Sequence, residues 1–190
     1  MESVKSVIYA KNTMELVTVG VEFCAFLEQS ADRNKADFIN TMLKLMPLLY
    51  LKASVQEAVE PDDECTPEQF VTEQDYELIR TYVAVIMEED DAYMDFCNHE
   101  VRFSDEPQVK TISEGLADVY QAVRNFVGAY KVGGEEGMYA ALVSLMNGFE
   151  LYWGQTLTDV LQAMHRVKYA PGGFGCVDSY YTDQEQDLLY

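Results

Sequence analysis

Carboxylates are the first residues whose spacing could do chemistry. Glu88, Asp91 and Asp95 fall at i, i+3 and i+7, on one face of a helix, and Glu114 and Asp118 fall at i and i+4. Two helices offering such sets can hold Mg²⁺ or Mn²⁺, because hard cations take several oxygens converging from fixed backbones. This pattern makes a metal-dependent all-α hydrolase the alternative function. In a chain with 33 Asp and Glu, such spacings also arise without a ligand, and a solvated acidic face is the simpler reading. The histidines are His99, beside Glu100, and His165, with Asp159 and Gln162 nearby. The Glu-x-x-His pattern of di-iron bundles is absent, since Phe96 and Gln162 stand where it would need other residues. His165 reads as a helix-end residue. Cys24, Cys65, Cys97 and Cys176 form no CxxC pair and no disulfide framework. Neither a nucleotide-binding glycine loop nor a Ser-His-Asp elbow is found, so no catalytic residue and no cofactor is assigned.

A second constellation is Tyr152-Trp153-Gly154-Gln155. Glycine inside a helix costs about 1 kcal/mol relative to alanine, and its usual reason is close approach of another helix or of a ligand. Asp118 and Tyr120 are expected opposite, on a partner helix. Asp118, Tyr120, Tyr152, Trp153 and Gln155 are therefore the candidate ligand- or partner-binding residues. The competing reading is a buried hydrogen-bond cluster, because buried Tyr and Trp need polar partners in any case.

These residues need a scaffold, and hydrophobic periodicity predicts a helical one. Glu135 to Lys168 contains no proline, and Met138, Leu142, Leu145, Phe149, Tyr152, Thr156, Val160, Ala163 and Val167 recur at steps of three and four. A helix of that length runs roughly 50 Å, and the rest of the chain is expected to pack around it. Leu151 and Leu161, on the far side of the same wheel, suggest cover on several sides. Ahead of it, Ile112, Leu116, Val119, Val123, Phe126, Val127 and Tyr130 form one stripe, capped by Thr111 and Glu114 and stopped by Gly133 and Gly134. The short turn joins the two as an antiparallel hairpin.

Upstream, a helix is expected to about Gln29, from an Asn12–Glu15 capping box or from as early as Ser3. A second starts at Asn34 and kinks or breaks at Pro47. Glu57 to Glu68 is an acidic loop, and a third helix starts at Thr72. The run Glu88 to Asp91 breaks it. A last helical turn or two is expected over Asp91 to Cys97, then a charged loop over Asn98 to Lys110. Pro171-Gly172-Gly173 ends helix formation. The division is a helical domain over residues 1–168 and an irregular, acidic, Tyr-rich tail over 169–190.

Composition bounds the partners. With 48% hydrophobic residues and 5 prolines the chain can bury a real core. A formal charge of −20 argues against nucleic-acid phosphates and anionic membranes, and permits cations or basic proteins. No window approaches the apolar length of a membrane span, and the first residues lack a signal-peptide pattern, so the cytoplasm is expected.

MPLLYLKAS from Met46, VTEQDYELIR from Val71, ISEGLADVYQAVRNFV from Ile112 and FELYWGQTLTDVLQAMH from Phe149 together resemble an uncharacterised family of all-helical proteins from Bacteroidetes, classed as a domain of unknown function. The resemblance spans about Met14 to His165 and is most specific at ADVYQ and YWGQ. It implies an all-α cytoplasmic bacterial protein and carries over no activity. Gly115 departs from the polar residue usual in that family, which weakens the helix locally.

The expected architecture is thus an all-α, single-domain bundle of five to seven mostly antiparallel helices, with a long central C-terminal helix. The expected role is a non-enzymatic, acidic protein-interaction or adaptor protein. A small-molecule sensor with a pocket near Trp153 is the other alternative. The partner expected is a protein, basic in character, and a homodimer is left open.

Overall fold

In a computed structural model, residues 2–57, 59, 67–95 and 108–175 are described. The described chain is all-α apart from one short ribbon. In order it forms α1 (Glu2–Ile8), α2 (Lys11–Glu28), α3 (Lys35–Ser54) and α4 (Glu73–Met87). A 3₁₀ turn (Glu88–Asp90) then leads into β1 (Ala92–Asp95) and β2 (Gln108–Thr111). Last come α5 (Ile112–Val132), α6 (Glu135–Gly148), a π-helical turn (Phe149–Trp153) and α7 (Gly154–Tyr169). From α6 to α7 the backbone stays helical, so the expected long C-terminal helix is present. Counted as one, it makes six helices among the described residues.

Caps explain most boundaries. Asn34 accepts from the Asp37 N–H at 2.9 Å, and Thr111 accepts from that of Glu114 at 3.2 Å. Thr72 and Asp75 form a reciprocal capping box, and the hydrogen bonds from Thr72 hold the Asp75 carboxyl below its ordinary range. Gly133, at φ 84°, turns the chain between α5 and α6 where a side chain would be strained. The Asn12 box does not form. Helix α2 already begins at Lys11, behind an uncapped Ala10, and the Asn12 amide reaches across to the Val55 carbonyl at the end of α3. Helix α3 passes through Pro47 without breaking. Pro47 lies on the exposed side, while Met42, Met46 and Leu49 bury the other face, so one lost backbone bond does not end the helix.

The residues after α4 also depart from the helical expectation. Ala92–Asp95 is a strand, antiparallel to Gln108–Thr111 in the register Ala92 to Thr111, where helical turns and a loop were expected. Glu88 takes a positive φ of 53° and ends α4 sharply. Asp91 then commits its carboxylate to the start of α5. It accepts from the Ser113 N–H at 2.8 Å and the Ser113 hydroxyl at 2.6 Å. An Asp held there cannot carry a helix onward.

Helix α5 is the hub, with α2, α4, α6 and α7 all packed on it, and α3 closes against α2 and α7. The long helix gathers α1, α3 and α5 around it, while α2 and α4 gather on α5. Phe23, Phe38 and Phe126 sit fully buried between these layers. Each contributes roughly 1.5–3 kcal/mol relative to exposure. No helix among the described residues is long and apolar enough to cross a membrane.

Candidate functional site

The long helix carries the site because its apolar stripe slips by one residue. A π turn adds a residue to one turn, so positions beyond it shift around the axis. Before the turn, Leu142 and Leu145 are buried as expected. After it, Val160 and Ala163 are buried as expected, but Trp153, Leu157 and Met164 are buried beside them, while Thr156 and Val167 are half-buried and Tyr152 is exposed. Tyr152 and Leu151 instead point outward at 72% and 68% exposure, the most exposed large apolar side chains among the described residues. Leu151 therefore does not mark a second covered face.

Two glycines make the turn. A Cβ on Gly154 would press into the Phe149 carbonyl, five residues back. Gly154 therefore answers neither a ligand nor a second helix. It lets the helix fold on itself. A Cβ on Gly148 would lie 3.1 Å from Trp153 Cδ1, so its absence gives the indole room to fold back along the helix. Trp153 Nε1 then donates to the Leu145 carbonyl at 2.8 Å.

Between this turn and α5 lies a cleft of about 400 Å³. Ala141, Ser144 and Gly148 recede on the long helix and Ala122 recedes on α5, and these small residues create the space. The polar wall comes from Asp118, Gln121 and Asn125, spaced three and four apart on α5. Pro67, Glu68 and Gln69 form the rim. The rim is held by Asn125, whose side-chain oxygen accepts from the Phe70 and Val71 N–H groups at 2.7 and 2.9 Å. Its amide nitrogen donates to Gln69 at 2.6 Å. Phe70 lies over Gly128, where a Cβ would collide with its ring.

Asp118, Tyr152 and Trp153 of the five candidate residues line this cleft. The Tyr76 hydroxyl donates to Asp118 at 2.8 Å, and burial together with that bond pushes the Tyr76 hydroxyl pKa up, so it stays a donor. Tyr120 and Gln155 are not brought to the cleft. Tyr120 faces α2, donating to Glu28 at 2.9 Å beside the Arg124–Glu28 ion pair. Gln155 is exposed and donates to Asp159 at 2.7 Å. Gln121, Asn125 and Ser144 were missed. Their signal was a polar stripe at helical spacing on α5 and a small-residue stripe on α6, both hidden beside stronger apolar patterns.

The five acidic residues considered as metal ligands take separate roles where they are described. Glu88 pairs with Lys35 at 3.5 Å, Asp91 caps α5, Asp118 takes Tyr76 and Glu114 is exposed. The Asp95 side chain, with His99, Cys65, Cys97 and Cys176, lies outside the described residues. Among the described residues no three His, Cys, Asp or Glu side chains gather to hold a metal. Cys24 is buried, which pushes its thiol pKa far up. His165 stacks near Tyr169 at 4.7 Å, at the end of α7.

Comparison with known proteins agrees with the fold. The crystal structure of protein BF1032 from Bacteroides fragilis superposes with a TM-score of 0.77 at 41% identity, over 87% of this chain and 97% of that one. No curated protein matches the chain. The family described as a domain of unknown function, DUF5063, matches residues 7–170, in keeping with the resemblance seen in the ADVYQ and YWGQ stretches. The matched span from Val7 to Ala170 and the shared helical fold lead to one assignment: the chain belongs to the DUF5063 family.

Proposed function

We propose that this protein is a non-enzymatic interaction module of the cytoplasm, and that the cleft between α5 and the π turn anchors its partner. One observation carries the reading. The two most exposed large apolar side chains among the described residues, Leu151 and Tyr152, stand together in the π turn, and Tyr152 also lines a cleft floored by Trp153. Scattered exposed apolar residues need no explanation, but aromatic residues gathered at a concave site are what interfaces use as anchors. The volume falls within the range of sites that seat a side chain or a small ligand. A net charge of −20 supports a basic protein as the partner.

The test is selection of binding peptides from a displayed random library, followed by titration against Ser144→Phe. Ser144 is exposed on the cleft wall, so the phenyl ring fills the space while stability changes by only about 0.5 kcal/mol. Selected peptides should quench or shift the emission of Trp153, the one tryptophan in the chain, and lose that effect in the variant. Peptides that bind the wild type and the variant equally would place the interaction elsewhere.

A further inference from the structure

We infer that the group seated in this cleft is an organic cation, the ammonium or guanidinium of a basic side chain on the partner. The inference rests on the cleft being the binding site and adds the chemistry of what enters it. Asp118 on α5 and Glu68 on the rim both bring carboxylates to the lining, and no Lys, Arg or His lines the cleft among the described residues.

Two of the donors in the cleft wall are already committed. Trp153 Nε1 is given to the Leu145 carbonyl and the Asn125 amide to Gln69. The acceptors remain. Asp118 takes one bond from Tyr76 on Oδ1, so its other oxygen has capacity left. Tyr152, Trp153 and Phe126 add aromatic rings, whose faces attract cations. The basic side chains nearby in the fold are engaged away from the cleft. Arg124 pairs with Glu28 at 3.1 Å and Arg80 with Glu77, so the wall stays uncompensated by the protein's own cations. A neutral polar guest would leave two carboxylates without a counter-charge. An anionic one would face them directly.

A basic side chain is favoured over a free amine by what surrounds the cleft. Leu151 and Tyr152 leave apolar area exposed on the π turn that borders the cleft, which a peptide covers and a small amine leaves wet.

The test uses the intact chain and four probes: the lysine tripeptide Ala-Lys-Ala and its norleucine counterpart, both with blocked ends, 1,5-diaminopentane, and glutarate. Binding is read from Trp153 emission and from backbone amide shifts along α5 and the π turn. Ala-Lys-Ala should shift amides around Asp118 and Trp153, and weaken as salt rises. Asp118→Asn, which keeps shape and removes charge, should cut its affinity by about tenfold. The norleucine peptide and glutarate should not compete. Ala-Lys-Ala binding undiminished in Asp118→Asn, or matched by norleucine, would overturn the cation. Tighter binding of the diamine than of the lysine peptide would overturn the side chain as its source. If glutarate or norleucine occupies the cleft and is expelled by Ser144→Phe, the cation is wrong while the cleft stands. If no probe or selected peptide responds to Ser144→Phe, both readings fall.

Discussion

Asn125 holds more of the candidate site than any residue that faces a ligand. One planar amide accepts from two successive backbone N–H groups, Phe70 and Val71, and donates to Gln69, so the rim of the cleft hangs from α5 by three hydrogen bonds. Asn125→Ala strips two donors of their acceptor at a part-buried position. The expected loss is about 1–3 kcal/mol of unfolding free energy, seen as a lower urea midpoint with an unchanged slope. Asn125→Asp keeps the oxygen that accepts from both N–H groups and loses only the bond to Gln69, so it should fall between the two. A full loss in the Asp variant would mean that the Gln69 bond, not the backbone pair, fixes the rim. None of this could be read from the sequence. An Asn inside a helical run shows its spacing, but not that the segment at Phe70, fifty-five residues earlier, folds back onto it.

At the scale of elements, local chemistry was legible and long-range fit was not. The starts at Asn34, Thr72 and Thr111 were readable because a cap is a contact over three residues. The strand at Ala92–Asp95 was not, because its partner is outside any local window and its four residues have no period of their own. The π turn was invisible for a related reason. Stripe arithmetic assumes one period throughout, and a single added residue moved Tyr152 out and Trp153 in. Of the cleft, Asp118, Tyr152 and Trp153 were accessible as polar or aromatic residues at odd positions, whereas the emptiness left by Ala141, Ser144 and Gly148 has no signature in sequence.

Glycine shows the same split and gives a paired prediction. Helix propensity alone says that Gly→Ala at Gly115 in α5 and at Gly137 in α6 should each stabilise by roughly 0.5–1 kcal/mol. Packing separates them. A Cβ on Gly115 would lie 2.6 Å from Val160 Cγ2 and 3.3 Å from Thr156 Cγ2, two β-branched side chains with little room to turn, whereas nothing lies within 4 Å of one on Gly137. Gly115→Ala should therefore destabilise, by about 1–3 kcal/mol, and Gly137→Ala should stabilise. Stabilisation by both substitutions in urea denaturation would show that the two helices separate at little cost.

The whole molecule carries −20 on 190 residues, and several of its 13 Lys and Arg residues tie elements together. Lys5 joins α1 to α6 through Glu135, Lys52 joins α3 to α2 through Glu15, and Lys110 joins β2 to α7 through Asp159. Each such surface pair contributes little alone, and all are screened by salt. The sharper global consequence lies at high pH. Burial raises the hydroxyl pKa of Tyr76, Tyr120 and Tyr130, helped by bonds to Asp118 and Glu28 in the first two, while the Tyr130 hydroxyl donates to the Ile8 carbonyl. A raised folded pKa means that the folded state keeps a proton which the unfolded chain releases near pH 10. Stability from these groups is thus intact below that pH and falls as pH rises above it. Each retained tyrosine adds a slope approaching roughly 1.4 kcal/mol per pH unit. Tyrosinate absorbance should show Tyr76, Tyr120 and Tyr130 ionising together with unfolding. Tyr130→Phe keeps the buried ring against Phe126, at 4.9 Å between centroids, and deletes the proton, so the alkaline slope of unfolding free energy should drop by one tyrosine's share. An unchanged slope would mean that water reaches this hydroxyl in the folded protein and that α1 does not seal the end of α5.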